Sequence, residues 1–182
     1  MNKLLADNLD EVLLSKEEID EKVKELGKML AEEYAGKRPL LICVLKGALI
    51  FVADLARAMN IPLEVDFMAV SSYGVSTKSS GVVRILKDLE TGIEGRHVLI
   101  VEDIIDTGLT LKYLIENLKS RKPASIKICT LLDKPSRRRV QLQPDFSGFE
   151  IPDKFVIGYG LDFSEIYRNL PFIGVLKPEA YQ

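Results

Sequence analysis

Short apolar runs alternate with helical stretches along most of this chain, and that alternation restricts its fold more than any other feature. The runs are Leu40–Leu45, Leu63–Val70, Val98–Val101, Ile126–Leu132, Phe155–Tyr159 and Phe172–Leu176. Their shortness, and their bounding by Gly, Pro or charge, favour buried strands over core helices. Ala48–Met59 and Leu109–Lys119 lie between them and read as helices; the second places Leu111, Leu114, Ile115 and Leu118 on one face. Ahead of the first run, Ser15-Lys16-Glu17-Glu18 is a capping box. Ile19, Val23, Leu26 and Leu30 follow it at helical spacing to about Tyr34, and Gly36 and Pro39 stop that helix. Strands alternating with helices predict βαβ units, hence an α/β fold around a mainly parallel, twisted sheet flanked by helices.

Composition narrows the class further. A chain of 182 residues is expected to form one domain, 1–182, with a core that needs neither metal nor disulfide staples. There is no internal repeat and no linker long enough to separate two domains. A net charge of −2 removes the global argument for nucleic-acid or membrane binding. The single histidine, His97, excludes HExxH and di-histidine metal sites. Cys43 and Cys129 sit inside apolar runs, where cysteine is usually a small buried hydrophobe, and neither belongs to a CxxC pair. With no basic-then-apolar leader and no apolar stretch near the ~20 residues that span a bilayer, the expected location is a reducing cytoplasm.

Two segments break the alternation. Ser71–Gly81 (SSYGVSTKSSG) has no apolar periodicity and exceeds a tight hairpin turn, which suits a lid as well as a plain surface connection. Pro135–Asp153 holds three prolines and the run Arg137-Arg138-Arg139.

The richest stretch is VLIVEDIIDTGLT, residues 98–110. Apolar Val98–Val101 is expected to be a central parallel strand, and open α/β sheets bind ligands beyond the carboxyl ends of their strands. Glu102 and Asp103 stand at that end, and Asp106-Thr107-Gly108-Leu109-Thr110 turns into the next helix. Free N–H groups at a helix start, two hydroxyls and a glycine suit a phosphate. Adjacent acids suit sugar hydroxyls or Mg²⁺. One acid at a strand end is usually a cap or a solvated charge, but this constellation points to a phosphorylated sugar. Two competing motifs fail. Gly158-Tyr-Gly160 begins a GxGxxG, yet Phe163 takes the place of its third glycine; Thr77-Lys78-Ser79 lacks the rest of a P-loop.

The stretch resembles the phosphoribosyl-pyrophosphate (PRPP) signature of the type I phosphoribosyltransferases. Supporting stretches are Leu45-Lys46-Gly47, Ser72-Tyr73, Leu132-Asp133-Lys134, Pro152–Val156, Gly158–Asp162 and Tyr167–Leu170. They run in family order from about residue 10 to 177, and Lys134 with Phe155–Asp162 resembles the hypoxanthine-guanine branch. The resemblance implies that family's sheet with a small hood formed from terminal segments. It also implies a purine-salvage glycosyltransferase that moves ribose 5-phosphate from PRPP to hypoxanthine or guanine, giving inosine or guanosine monophosphate and pyrophosphate.

By the same resemblance, Asp106, Thr107, Gly108, Leu109 and Thr110 would hold the 5′-phosphate, largely through backbone N–H groups. Leu109 stands where some relatives have Lys. Glu102 and Asp103 would hold the ribose hydroxyls, directly or through Mg²⁺, and Asp162 would help hold a second Mg²⁺. Asp106 is also the candidate general base at purine N7, so no histidine is required. Lys46, Gly47, Arg168, Ser72 and Tyr73 would meet pyrophosphate, and in the family the peptide before this Lys can be cis. Lys134 would donate to the 6-oxo group, Phe155 would stack on the base, and Val156 would read its edge through the backbone. Taken alone, Lys46 and Arg168 read as surface cations and Phe155 as a core aromatic. The family commonly forms dimers and tetramers, which implies a homodimer or homotetramer. Xanthine preference is a second enzymatic reading. An RNA-binding regulator on the same fold would need Arg137–Arg139 and Lys119–Lys122, clusters that lack interleaved aromatics and read as solvated faces.

Overall fold

Two strands buried on both faces organise the molecule. The computed structural model describes residues 8–72 and 83–181. Strands β2 (Leu40–Leu45) and β5 (His97–Ile105) pair in parallel at the centre of a six-stranded sheet. Leu40, Ile42 and Val44 face one core, while Leu41 and Cys43 face the other, as the two-residue strand period requires. Burial on both faces is why these segments are continuous apolar runs rather than alternating ones.

From β2 the chain crosses through α2 (Leu49–Met59) to β3 (Glu64–Ser72), and from β5 through α3 (Leu109–Lys119) to β6 (Ser125–Asp133). Both crossovers join parallel strands, but they leave the central pair in opposite directions; with β4 (Val83–Lys87) and β7 (Phe146–Glu150) at the edges, the order is β4-β3-β2-β5-β6-β7. Crossovers of one hand running in opposite directions put their helices on opposite faces. Phe51, Val52 and Leu55 of α2 pack in one core with α1 (Lys16–Glu33); Leu111, Leu114 and Leu118 of α3 fill the other. The strand order therefore reverses between β2 and β5, the place where such sheets leave a crevice.

The capping box at Ser15 is present: Glu18 N donates to Ser15 Oγ, and Ser15 N donates to Glu18 Oε2 at 2.8 Å. Strand β5 is longer than the apolar run predicts. Pairing with β6 continues to Ile105, so Glu102 and Asp103 lie within the strand's last turns rather than beyond its end. His97 starts β5 at the far end, its Nδ1 2.8 Å from Ser125 Oγ.

Three strands carry too little apolar signal to stand out in the sequence: β1 (Leu9–Leu14), β4 (Val83–Lys87), antiparallel to β3, and β7 (Phe146–Glu150). The predicted strand Phe155–Tyr159 shortens to β8 (Val156–Ile157). Neither it nor β9 (Ile173–Leu176) joins the main sheet; with β1 they form an antiparallel hood in the order β1-β9-β8. The hood is fastened to α2 by Tyr159, whose hydroxyl donates to Asp54 Oδ2 at 2.6 Å. Among the described residues no helix is long and apolar enough to cross a membrane.

Candidate active site

The carboxyl ends of β2 and β5 and the underside of the hood converge at the reversal point. Gly47 packs so closely on β5 that a Cβ there would lie 1.6 Å from Asp103 Oδ2. Gly160 of the hood stands over Gly47; a Cβ on it would lie 1.9 Å from the Gly47 carbonyl oxygen. Only glycine at both positions lets the three segments touch. The Leu45–Lys46 peptide is cis.

Beyond β5 the chain enters α3 through Gly108, which has φ 76° and provides no side-chain cap. The α3 N-terminus thus keeps N–H groups unspent, the condition for binding an anion. Thr107 Oγ1 makes one long contact, accepting from Leu109 N at 3.4 Å. A cavity of about 210 Å³ opens here, lined by Val44, Glu102, Asp106, Thr107, Gly108 and Thr110 among others.

The turn is held from behind by the segment after β6. Lys134 N donates to Ile105 O at 2.9 Å, Arg138 Nη1 to Asp106 O at 3.0 Å, and Arg139 N to Thr107 O at 3.0 Å. Three successive carbonyls are consumed on one side, which fixes the peptide planes of the turn. Arg138 is also paired with Asp133, and Arg137 Nε donates to Asp106 Oδ1 at 3.0 Å. Arg137 and Arg139 are exposed, as a solvated face requires, while Arg138 is half-buried and the run also props the turn. Parallel strands end on one edge of a sheet, so residues just after β6 belong beside those just after β5. Lys134, Arg137 and Arg138 share that address, the signal that could have placed them.

Glu102 is 8% exposed, and burial, with the neighbouring Asp103 charge, pushes its carboxyl well above the usual range. Burial also pushes Asp103 up to about 6, against the opposing pull of the Ile104 N–H and Arg168. Two desolvated carboxylates, neighbours in sequence near the end of β5, have a use for a hard cation. Among the described residues no three candidate ligands cluster into a complete cage. A pair of carboxylates that leaves the remaining positions to water and substrate oxygens is the donor set Mg²⁺ favours.

Opposite these acids stand the cations. Lys46 Nζ bonds Glu165 Oε2 at 2.8 Å. Arg168 bonds Gly160 O at 2.9 Å through Nη1 and Asp162 Oδ1 at 2.8 Å through Nη2. Asp162 Oδ2 accepts from Glu165 N at 2.8 Å. Glu165 was not foreseen; as an exposed acid in a polar loop it carries no sequence signal.

On the far side of Asp106, Lys134 is 7% exposed and donates to Lys154 O at 2.6 Å. Burial holds its ammonium below the ordinary lysine range, although Asp106 and Asp153 oppose this. Phe155 adjoins that carbonyl, yet it is 37% exposed and so not the core aromatic it resembles in isolation. Tyr181 stacks on it with centroids 4.9 Å apart, and Phe163 meets it edge-on at 5.7 Å. Val156 belongs to β8, the hood's edge strand, which is paired on one side by β9. The Ser72 backbone ends β3. Its side chain, Tyr73 and the remainder of the expected lid lie outside the described residues.

A model of the phosphoribosyl transferase domain matches residues 11–164. The chain belongs to the phosphoribosyltransferase family. Among the phosphoribosyltransferases it is 60% identical to the hypoxanthine-guanine phosphoribosyltransferase of Bacillus subtilis, over 98% of this chain and 99% of that one. It is 55% identical to the enzyme of the same name from Lactococcus lactis, over 100% and 98%. A crystal structure of a hypoxanthine phosphoribosyltransferase from Staphylococcus aureus superposes with a TM-score of 0.96 at 50% identity, covering 100% of this chain and 99% of that one. The hooded, mainly parallel sheet is thus the phosphoribosyltransferase fold that the sequence implies.

Proposed function

We propose that this chain is a purine-salvage transferase that moves ribose 5-phosphate from PRPP to hypoxanthine and guanine, releasing pyrophosphate. The observation that carries this reading is the uncapped α3 N-terminus at Gly108, set beside the buried pair Glu102–Asp103 at the sheet's reversal point. The Asp106–Thr110 turn, Leu109 included, receives the 5′-phosphate, and Glu102 and Asp103 hold the ribose hydroxyls. Lys46, Gly47 and Arg168 receive pyrophosphate, together with Ser72 and Tyr73.

In the reaction the bond between C1′ and the pyrophosphate oxygen breaks, its electron pair leaving with pyrophosphate. A purine ring nitrogen forms the new bond at C1′. Asp106 accepts the purine's surplus proton at N7, as general-base catalysis requires. Lys134 donates to the 6-oxo group, a contact that the amino group of adenine cannot accept in the same way. Phe155 stacks on the base, and the Val156 backbone reads its edge. Exclusion of water matters because an electron-poor C1′ would otherwise be hydrolysed. Glu102 and Asp103, with Asp162 for a second ion, are the residues that would hold Mg²⁺. When bound, Mg²⁺ neutralises charge on the pyrophosphate oxygens. A homodimer or homotetramer and a cytoplasmic location belong to the same reading.

Pyrophosphate release from PRPP and Mg²⁺, with each purine base in turn, tests it. Turnover is expected with hypoxanthine and guanine, and at least ~10²-fold less with adenine. No turnover with hypoxanthine, guanine or xanthine overturns the proposal.

A further inference from the structure

Asp106 is an unusual place to put a base, because its side chain is 41% exposed at the first position of a turn. Among the described residues, the side chain that bonds its carboxylate is Arg137, through Nε to Oδ1 at 3.0 Å. The same guanidinium reaches in a second direction, with Nη1 3.3 Å from Asp153 Oδ2. The other oxygen of Asp153 lies 4.0 Å from Lys134 Nζ. A continuous chain of charges thus runs Asp106–Arg137–Asp153–Lys134. Its two ends are the groups assigned above to N7 and to the 6-oxo group.

Those two purine atoms lie on one edge of the base. For a 6-oxopurine bearing its proton on N7, that edge shows a donor beside an acceptor. A carboxylate and an ammonium must therefore be held at one fixed spacing to read it together. A planar guanidinium with donors diverging in a fixed fork is well suited to set such a spacing. Its backbone is held too. Pro135 opens a single 3₁₀ turn ending at Arg137, closed by Arg137 N to Lys134 O at 3.1 Å. Asp153 sits in a tight turn closed by Lys154 N to Pro152 O at 2.8 Å.

We propose that Arg137 and Asp153 are positioning residues that set the spacing of Asp106 and Lys134 against the N7–O6 edge of the purine. The inference rests on the assignment of Asp106 and Lys134 to the base and deepens it, adding what selects a 6-oxopurine. Both side chains are about half exposed, 45% for Arg137 and 53% for Asp153. Pairs this wet add little to global stability. Their effect falls on geometry, where small displacements of a catalytic group are costly.

A double-mutant cycle on the full chain decides the matter, because coupled residues lose additivity. Arg137→Gln is expected to lower kcat ~10-fold with the KM for PRPP changed less than ~2-fold. In an Asp106→Asn background the same change should cost less than ~2-fold further. Asp153→Asn should raise the KM for hypoxanthine several-fold and narrow the preference for hypoxanthine over adenine. Melting temperatures of the single variants should stay within ~2 °C of the parent. An equal loss from Arg137→Gln in both backgrounds, or a raised KM for PRPP with kcat intact, overturns the proposal while leaving the transferase reading standing. An inactive parent chain overturns both.

Discussion

Glu165 Oε2 accepts a hydrogen bond from Lys46 Nζ at 2.8 Å, although 119 residues separate the two in sequence. The same oxygen lies 3.5 Å from Arg168 Nη2. A carboxylate therefore rests between two of the cations assigned to pyrophosphate, and the Lys46 hydrogen bond holds Glu165 below the usual carboxylate range. If those cations receive pyrophosphate as proposed, PRPP must displace it. Both partners are largely exposed, so their attraction is small and screened by salt. Glu165→Gln is expected to lower the KM for PRPP ~2- to 5-fold at low ionic strength. The gain should vanish in ~1 M salt. An unchanged or raised KM at low salt would show that Glu165 does not compete.

Gly47 offers a sharper test of how the acids are held. Its missing side chain is what allows Asp103 to occupy its present place, since a Cβ would stand 1.6 Å from Asp103 Oδ2. Gly47→Ala forces that carboxylate to rotate away without touching the core. We expect kcat/KM for PRPP to fall ~10²-fold or more while the melting temperature changes by only a few degrees. Mg²⁺ titration of activity should show the half-saturating concentration raised. Retention of parental kcat/KM would mean that Asp103 does not need this position.

Lys134 is expected to govern the alkaline side of the pH profile. In the proposed function its ammonium donates to the 6-oxo group, and burial favours the neutral amine. The sign follows directly: the donor is complete at lower pH and is lost as pH rises through a value below the ordinary lysine range. The kcat/KM for hypoxanthine should therefore decline on its alkaline limb before an exposed lysine would titrate. Lys134→Arg, which stays charged throughout, should be slower at neutral pH yet lose that limb. A limb that persists unchanged in the arginine variant assigns it to another group.

Where the sequence reads clearly, one strong physical cause is at work. β2, β5 and β6 (Ser125–Asp133) are buried on both faces and announce themselves as apolar runs. The capping box at Ser15 is local hydrogen bonding between near neighbours. The phosphate turn is legible because its chemistry is contiguous from Glu102 to Thr110. β1 hides because an edge strand of a small hood leaves Asp10 and Glu11 exposed. Arg137 and Glu165 hide for a different reason. Their meaning lies in partners 31 and 119 residues away, and no periodicity records those distances. The roles assigned at Asp106 and Lys134 came from the family pattern, because a lone acid or lysine has no signature of its own.

The hood strand β1 (Leu9–Leu14) pairs with β9 (Ile173–Leu176), so one of the first described segments waits for one of the last. On a ribosome the turn between β5 and α3 emerges together with the segment after β6 that holds it from behind, but the hood cannot form until β9 has emerged. Contacts of such long sequence separation are paid for in loop entropy before they return anything, and they form late. A growing chain thus completes the turn proposed for the phosphate before it completes the hood proposed to cover the purine. A chain interrupted before Phe155 would hold the residues proposed for the 5′-phosphate but lack Phe155, Val156 and Arg168, and would be unable to carry out the transfer.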